Sequence, residues 1–246
     1  MDITVLVLAA TATAFATGLG AIPVFLLGRR AEGLRPLLLG ATVGLMAVAA
    51  VVGLLRPALQ EGGPGSVLGG LLVGVAFLVV ATLVVDRPRS HAGRLQGARL
   101  RLSVLVFAVL FVHSLPEGFA IGTAYASNRA GLSLFVILAI GLQNIPEGTS
   151  IAIPMEAAGF SWHRQFWAAV LTSAPQPLGA VIAFLLVGHV KALLPFSFAF
   201  AAGAMLALVA VELIPPAFAR GSRYRAGSGA LAGGALMILL AAIFRI

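Results

Sequence analysis

Two copies of Pro-Glu-Gly lie thirty residues apart inside apolar runs, and each follows a potential metal ligand by one helical turn. The first stretch reads His113-Ser114-Leu115-Pro116-Glu117-Gly118 and the second Gln143-Asn144-Ile145-Pro146-Glu147-Gly148. A carboxylate at the centre of a membrane helix costs about 2.5 kcal/mol or more, so it normally marks function. His113 and Glu117 are i and i+4, and so are Gln143 and Glu147. Each pair therefore shares one helix face. If the two faces meet, an imidazole nitrogen, an amide oxygen and two carboxylates converge. That set suits a divalent ion of borderline hardness. Two ionised glutamates would neutralise it; without a cation they would repel each other.

The prolines and glycines of the motif fit the same chemistry. Pro116 and Pro146 lack an N–H, which frees the carbonyls of Val112 and Leu142. Such groups are tolerated at membrane depth only where they line a cavity or are buried in protein. Gly118 and Gly148 permit close helix approach. The apolar pattern continues through Phe119 to Ala124 and through Thr149 to Ile153. A surface turn does not account for it.

These residues need a scaffold of spanning helices, and the composition supplies one. Of 246 residues 60% are hydrophobic and only 10% charged, with a mean hydropathy of +1.07. Soluble domains carry about 25% charged residues, so the chain reads as an integral membrane protein. Eight runs approach the ~20 apolar residues that a span needs. They cover 3–27, 37–58, 66–85, 102–126, 131–155, 165–188, 193–218 and 226–245. The gaps are too short for a soluble domain, so the expectation is a single transmembrane domain over 1–246. Met1-Asp2-Ile3 brings no positive charge before the first run, which reads as a retained helix rather than a signal peptide. There is no cysteine, which removes disulfides and thiolate metal sites.

The net charge of +8 is explained by topology, and no nucleic-acid partner is expected. Eight alternating spans put twelve Lys and Arg on one side and four on the other. The first group is Arg29, Arg30, Arg35, Arg87, Arg89, Arg94, Arg99, Arg101, Arg164, Arg220, Arg223 and Arg225. The second is Arg56, Arg129, Lys191 and Arg245. The richer side is predicted to be cytoplasmic and both termini external. Asp2, Glu32, Glu61, Asp86 and Glu156 fall near helix ends; Glu117, Glu147 and Glu212 do not.

The runs also repeat. The fourth and fifth align at an offset of 30 through the paired motif. The second and seventh align at an offset of 159, with Gly44, Met46, Val52, Leu54, Pro57 and Ala58 recurring as Gly203, Met205, Val211, Leu213, Pro216 and Ala217. Members of each pair enter from opposite sides. Inverted repeats with Gly- and Pro-interrupted helices point to a transporter with its site near midplane.

The chain resembles the ZIP (Zrt-, Irt-like) divalent-metal transporters, especially their short prokaryotic branch. The resemblance covers essentially the whole chain and rests first on the two Pro-Glu-Gly helices. Thr17-Gly18-Leu19-Gly20-Ala21-Ile22-Pro23, Pro177-Leu178-Gly179-Ala180, Ala202-Gly203-Ala204-Met205 and Glu212-Leu213-Ile214-Pro215 support it. It implies an all-α fold with a metal site between the fourth and fifth helices. His113, Glu117, Gln143 and Glu147 match metal-site positions, and Met46 a neighbouring position able to add a thioether. A second metal is common in the family; its positions here are Ser114, Asn144 and Gln176, where relatives often have stronger ligands. One bound ion is therefore expected, or a second held weakly.

Glu212 matches an acidic position on the family's transport route, and it equally fits an interfacial residue capped by the prolines after it. The resemblance further implies inward transport of zinc through an elevator-like shift of one bundle against another, in a bacterial inner membrane, and a homodimer that nothing else in the chain shows. The ligand set itself tolerates Zn²⁺, Fe²⁺, Mn²⁺, Co²⁺ and Cd²⁺. Acid should weaken binding, because the ligands must lose protons. No catalysis is expected, and the single intramembrane histidine argues against the rival reading of an intramembrane metalloprotease, which needs something like His-Glu-x-x-His plus a further ligand. The changes at Ser114, Asn144 and Gln176 leave one rival reading, a divergent metal sensor or carrier of another solute. His91, alone in a basic stretch, is not assigned metal capture. His163 and His189 are expected to be solvated.

Overall fold

The computed structural model describes residues 2–86, 98–219 and 221–246. The described residues form helices and connecting turns, with no strand among them. Eight helices are long and apolar enough to cross a membrane: α1 (Ile3–Leu27), α2 (Arg30–Glu61), α3 (Pro64–Val84), α4 (Val106–Ala126), α5 (Ala130–Ala157), α6 (Trp162–His189), α7 (Lys191–Ala217) and α8 (Arg223–Phe244). They match the eight predicted runs. The largest shift is at the start of α2, where a 3₁₀ segment over Gly28–Leu34 carries the chain straight from α1 into the next helix.

Asp2 starts α1, its carboxylate accepting from the Thr4 N–H at 2.8 Å. Large apolar side chains such as Leu72, Val80, Leu231 and Ile243 stand exposed on α3 and α8. These two helices are the least buried of the eight, and their outer faces are suited to lipid.

The helices pair by backbone contact: α2 with α8, α3 with α7, α4 with α6 and α1 with α5. Small residues make this approach close, as expected where packing rather than water drives association. Side chains on Gly148 or Gly118 would run into the carbonyls of Thr17 or Gln176. Gly44 and Gly203 meet Ala230 and Leu71 in the same way, and Gly229 and Gly70 meet Leu37 and Phe196.

These contacts obey the repeat. Gly44, Leu71, Leu37 and Gly70 become Gly203, Ala230, Phe196 and Gly229 under the 159-residue offset, and Thr17 becomes Gln176. The repeat therefore extends beyond the second and seventh helices. It relates α1, α2 and α3 to α6, α7 and α8, while α4 and α5 exchange at offset 30. Both α2 and α7 also widen into π-helix at matching places, Ala49–Leu55 and Val209–Leu213. Each wide turn precedes a proline, Pro57 or Pro215, whose missing N–H interrupts the four-residue ladder.

Two four-helix groups result. One holds α1, α4, α5 and α6; the other holds α2, α3, α7 and α8. They join where α4 meets α7 and α5 meets α2. The ends sort as alternation requires. The Tyr125 hydroxyl donates to the Asp2 carbonyl, and Arg129 pairs with Glu61 at 3.3 Å, at one end of the molecule. Arg225 donates to the Gly33 carbonyl at the other. Of the basic residues counted for orientation, Arg87, Arg89, Arg94 and Arg220 lie outside the described residues, as does His91.

Candidate metal site

Helices α4 and α5 run unbroken through Pro116 and Pro146 and bring their motif faces together. The Gln143 amide donates to Glu117 Oε1 at 2.9 Å, so the two motif helices touch through this pair. The second Glu117 oxygen accepts from Gln176 of α6 at 2.7 Å. Gln176 in turn accepts from Thr13 Oγ1 at 2.9 Å and from Asn144 Nδ2 at 3.3 Å. Asn144 also donates to the Thr13 carbonyl at 2.8 Å. Four helices thus meet in one buried polar network, and its donors fix each amide's orientation.

That network leaves particular atoms over. Both nitrogens of His113, Oε1 of Gln143, Oδ1 of Asn144 and Oε1 of Glu147 are buried with no hydrogen-bond partner. They are five of the seven such side-chain atoms among the described residues. Buried polar atoms are normally paired, and each unpaired one asks for a missing partner. All five are electron-pair donors in at least one form, as a cation requires.

The side chains do not yet form a closed cage. Among the described residues no three His, Asp or Glu side chains cluster as a ready metal site. The amides of Gln143 and Gln176 hold Glu117, one on each oxygen. His113 and Glu147 instead line a cavity of about 230 Å³. Its other walls include Arg35 and Leu39 of α2, Val106, Val109 and Leu110 of α4, Ser150 of α5, and Glu212 and Leu213 of α7. His113 and Glu147 are buried, whereas Arg35, Ser150 and Glu212 are partly exposed. The cavity leads from the motif toward the end of the molecule where α2 starts and α7 finishes.

The repeat-related half is shut. Val106, Val109, Leu110 and Leu213 correspond to Val136, Ala139, Ile140 and Leu54. These, with Phe135 and Met205, enclose a void of only about 10 Å³. Gly53, the counterpart of Glu212, sits so close that a Cβ there would fall 2.6 Å from the Phe135 ring.

The remaining sequence candidates sort out plainly. Met46 is fully buried in the apolar core. Ser114 is buried and spends its hydroxyl on the Leu110 carbonyl at 3.0 Å. His163 and His189 are exposed at helix ends, as expected. Sequence reasoning missed Thr13, and it missed the contact at 2.6 Å between Thr17 and Ser173. The signal was the i, i+4 spacing of Thr13 and Thr17 on an apolar helix. It also missed Arg35 as a cavity residue.

A sequence model of one family, described as ZIP Zinc transporter, matches residues 86–241. The chain belongs to the ZIP family. It is 34% identical over 240 residues to the zinc transporter GufA of Myxococcus xanthus, covering 92% of this chain and 93% of that one. It is 30% identical over 276 aligned positions to the zinc transporter ZupT of Corynebacterium efficiens, covering 99% and 100%. A longer protein of Arabidopsis thaliana is 33% identical over 238 residues; this covers 95% of the present chain but 38% of the plant protein. The paired Pro-Glu-Gly helices lie inside the family match.

Proposed function

We propose that this ZIP protein is a single transmembrane domain that transports a divalent metal ion, with zinc the first candidate, toward the cytoplasm. Its relatives GufA and ZupT bear the name zinc transporter. The observation that carries the site assignment is the set of buried, unpartnered atoms on His113, Gln143 and Glu147. The ion binds there and on Glu117, exchanging one amide bond of Glu117 for a metal bond. Met46 stands by as a neighbouring thioether. Glu117 and Glu147 together neutralise one divalent charge, and Ser114, Asn144 and Gln176 bring no further carboxylate. A single ion per chain follows.

The open cavity and its shut counterpart correspond to one state of alternating access. With the basic loops in the cytoplasm, the open half faces inward, with Glu212 on its wall, and both termini face outward. Transport then moves the group of α1, α4, α5 and α6 against the group of α2, α3, α7 and α8. The contacts that seal Phe135 against Gly53 break as the equivalent half closes. This matches the elevator-like shift that the family resemblance implies.

Equilibrium zinc binding to the purified chain, read as stoichiometry, tests the site. One ion per chain is expected, with binding lost in Glu147→Ala and strongly weakened in His113→Ala. Two ions at equal affinity, or binding that survives both substitutions, would refute the assignment.

A further inference from the structure

The cavity beneath the candidate site contains a charge of the wrong sign for a cation route. Arg35, where α2 passes from its 3₁₀ segment into regular α-helix, lines it together with Glu147, His113 and Glu212. Among the described residues Arg35 makes no hydrogen bond or ion pair, and its Nε is buried without a partner. A guanidinium keeps its charge whatever happens to nearby histidines and carboxylates. It therefore opposes a divalent ion in this cavity at all working pH values.

The placement gives that opposition a use. Arg35 belongs to the group of α2, α3, α7 and α8, while His113 and Glu147 belong to the group of α1, α4, α5 and α6. Glu147 presents an unpartnered oxygen and lines the same small cavity. When the ion leaves, the motif keeps two buried carboxylates with no cation between them, an arrangement that disfavours itself. A long side chain carrying five N–H donors, itself lacking partners, is suited to fill that role.

We propose that Arg35 is a tethered counter-cation: it pairs with Glu147 once the metal has left, and by stabilising the empty site it sets the affinity and the release rate of the ion. The inference rests on the transport reading above, with Glu147 as a ligand. Arg35 is a positioning residue here, because it acts on the ion through Glu147. It competes with the metal for one carboxylate, so removing its charge stabilises the loaded form relative to the empty one. The effect is opposite in sign to ordinary damage, which weakens binding.

Zinc affinity of the full chain in detergent and zinc uptake into proteoliposomes, measured on wild type, Arg35→Gln and Arg35→Lys, provide the test. Arg35→Gln is expected to bind zinc about tenfold tighter, within the usual range of coupling between sites. Its half-saturating zinc concentration and its maximal uptake rate should fall together. Arg35→Lys, which keeps the charge, should stay near wild type in both. Should Arg35→Gln fold poorly, Arg35→Met keeps the apolar stem and carries the same expectation. Unchanged or weaker binding in the neutral variants, beside a wild type that transports zinc, would overturn the role of Arg35. A wild type that neither binds nor moves zinc would instead overturn the reading on which it rests.

Discussion

The chemistry of this chain turns on which buried atoms are already spoken for. Glu117 has both oxygens occupied by amide donors, while His113 and Glu147 keep buried donor atoms without partners and line a cavity. Gln176 organises this division, because it donates to Glu117 and accepts from Thr13 and Asn144. Gln176→Leu strands several buried polar groups at once. It should destabilise the protein by about 1–3 kcal/mol per stranded group, read as an earlier thermal unfolding transition in detergent. Gln176→Glu should behave differently, placing a second carboxylate against Glu117 and favouring an added cation. A rise in bound metal per chain would register it. Protons compete with metal at His113, Glu117 and Glu147, so apparent zinc affinity should fall as pH falls, with protons released on binding. Affinity independent of pH would remove these groups from the ligand set. The paired motif was legible in the sequence because a charge in an apolar run is a local signal. The network behind it was legible only in part. The family resemblance grouped Asn144 with Gln176, but Thr13 lies on a third helix, and nothing in the spacing announces that it joins them.

At the scale of elements, glycine decides how the helices pack. The contacts of Gly148 with Thr17 and of Gly118 with Gln176 place α1 on α5 and α6 on α4, and so position the network. Gly148→Ala introduces a methyl group against backbone, which cannot move aside as a side chain would. Overpacking of this kind costs about 1–3 kcal/mol. The variant should show lower thermal stability and lower zinc binding together. The eight spans were legible, since apolar length is the strongest sequence signal a membrane protein gives. The repeat was only partly so. Leu37 and Phe196, or Thr17 and Gln176, occupy equivalent places with unlike side chains. What the repeat preserves there is a backbone contact, which becomes visible only in three dimensions. Arg35 was equally hidden: in sequence it is one of twelve basic residues assigned to one side.

At the scale of the whole molecule, two repeat-related regions differ, one holding an open cavity and the other a closed void. Val109 lines the open cavity, and its repeat partner Ala139 lines the closed void. The chain has no cysteine, so single thiols can report on each half without background. Val109→Cys should react with a membrane-impermeant thiol reagent added from the cytoplasmic side. Ala139→Cys should resist reagent from either side in the state described here. Reagent reaching Val109→Cys only from outside would reverse the orientation assigned from the basic loops. Equal reactivity at both positions would contradict alternating access.

The central claim is that the paired motif moves a divalent ion across the membrane. Zinc influx into proteoliposomes loaded with a metal-sensitive dye tests it most directly, comparing wild type with Glu147→Ala. Saturable influx in wild type, abolished in the variant while the protein stays folded, is the predicted result. Influx that persists undiminished in Glu147→Ala, or a wild type that binds zinc without moving it, would contradict the account.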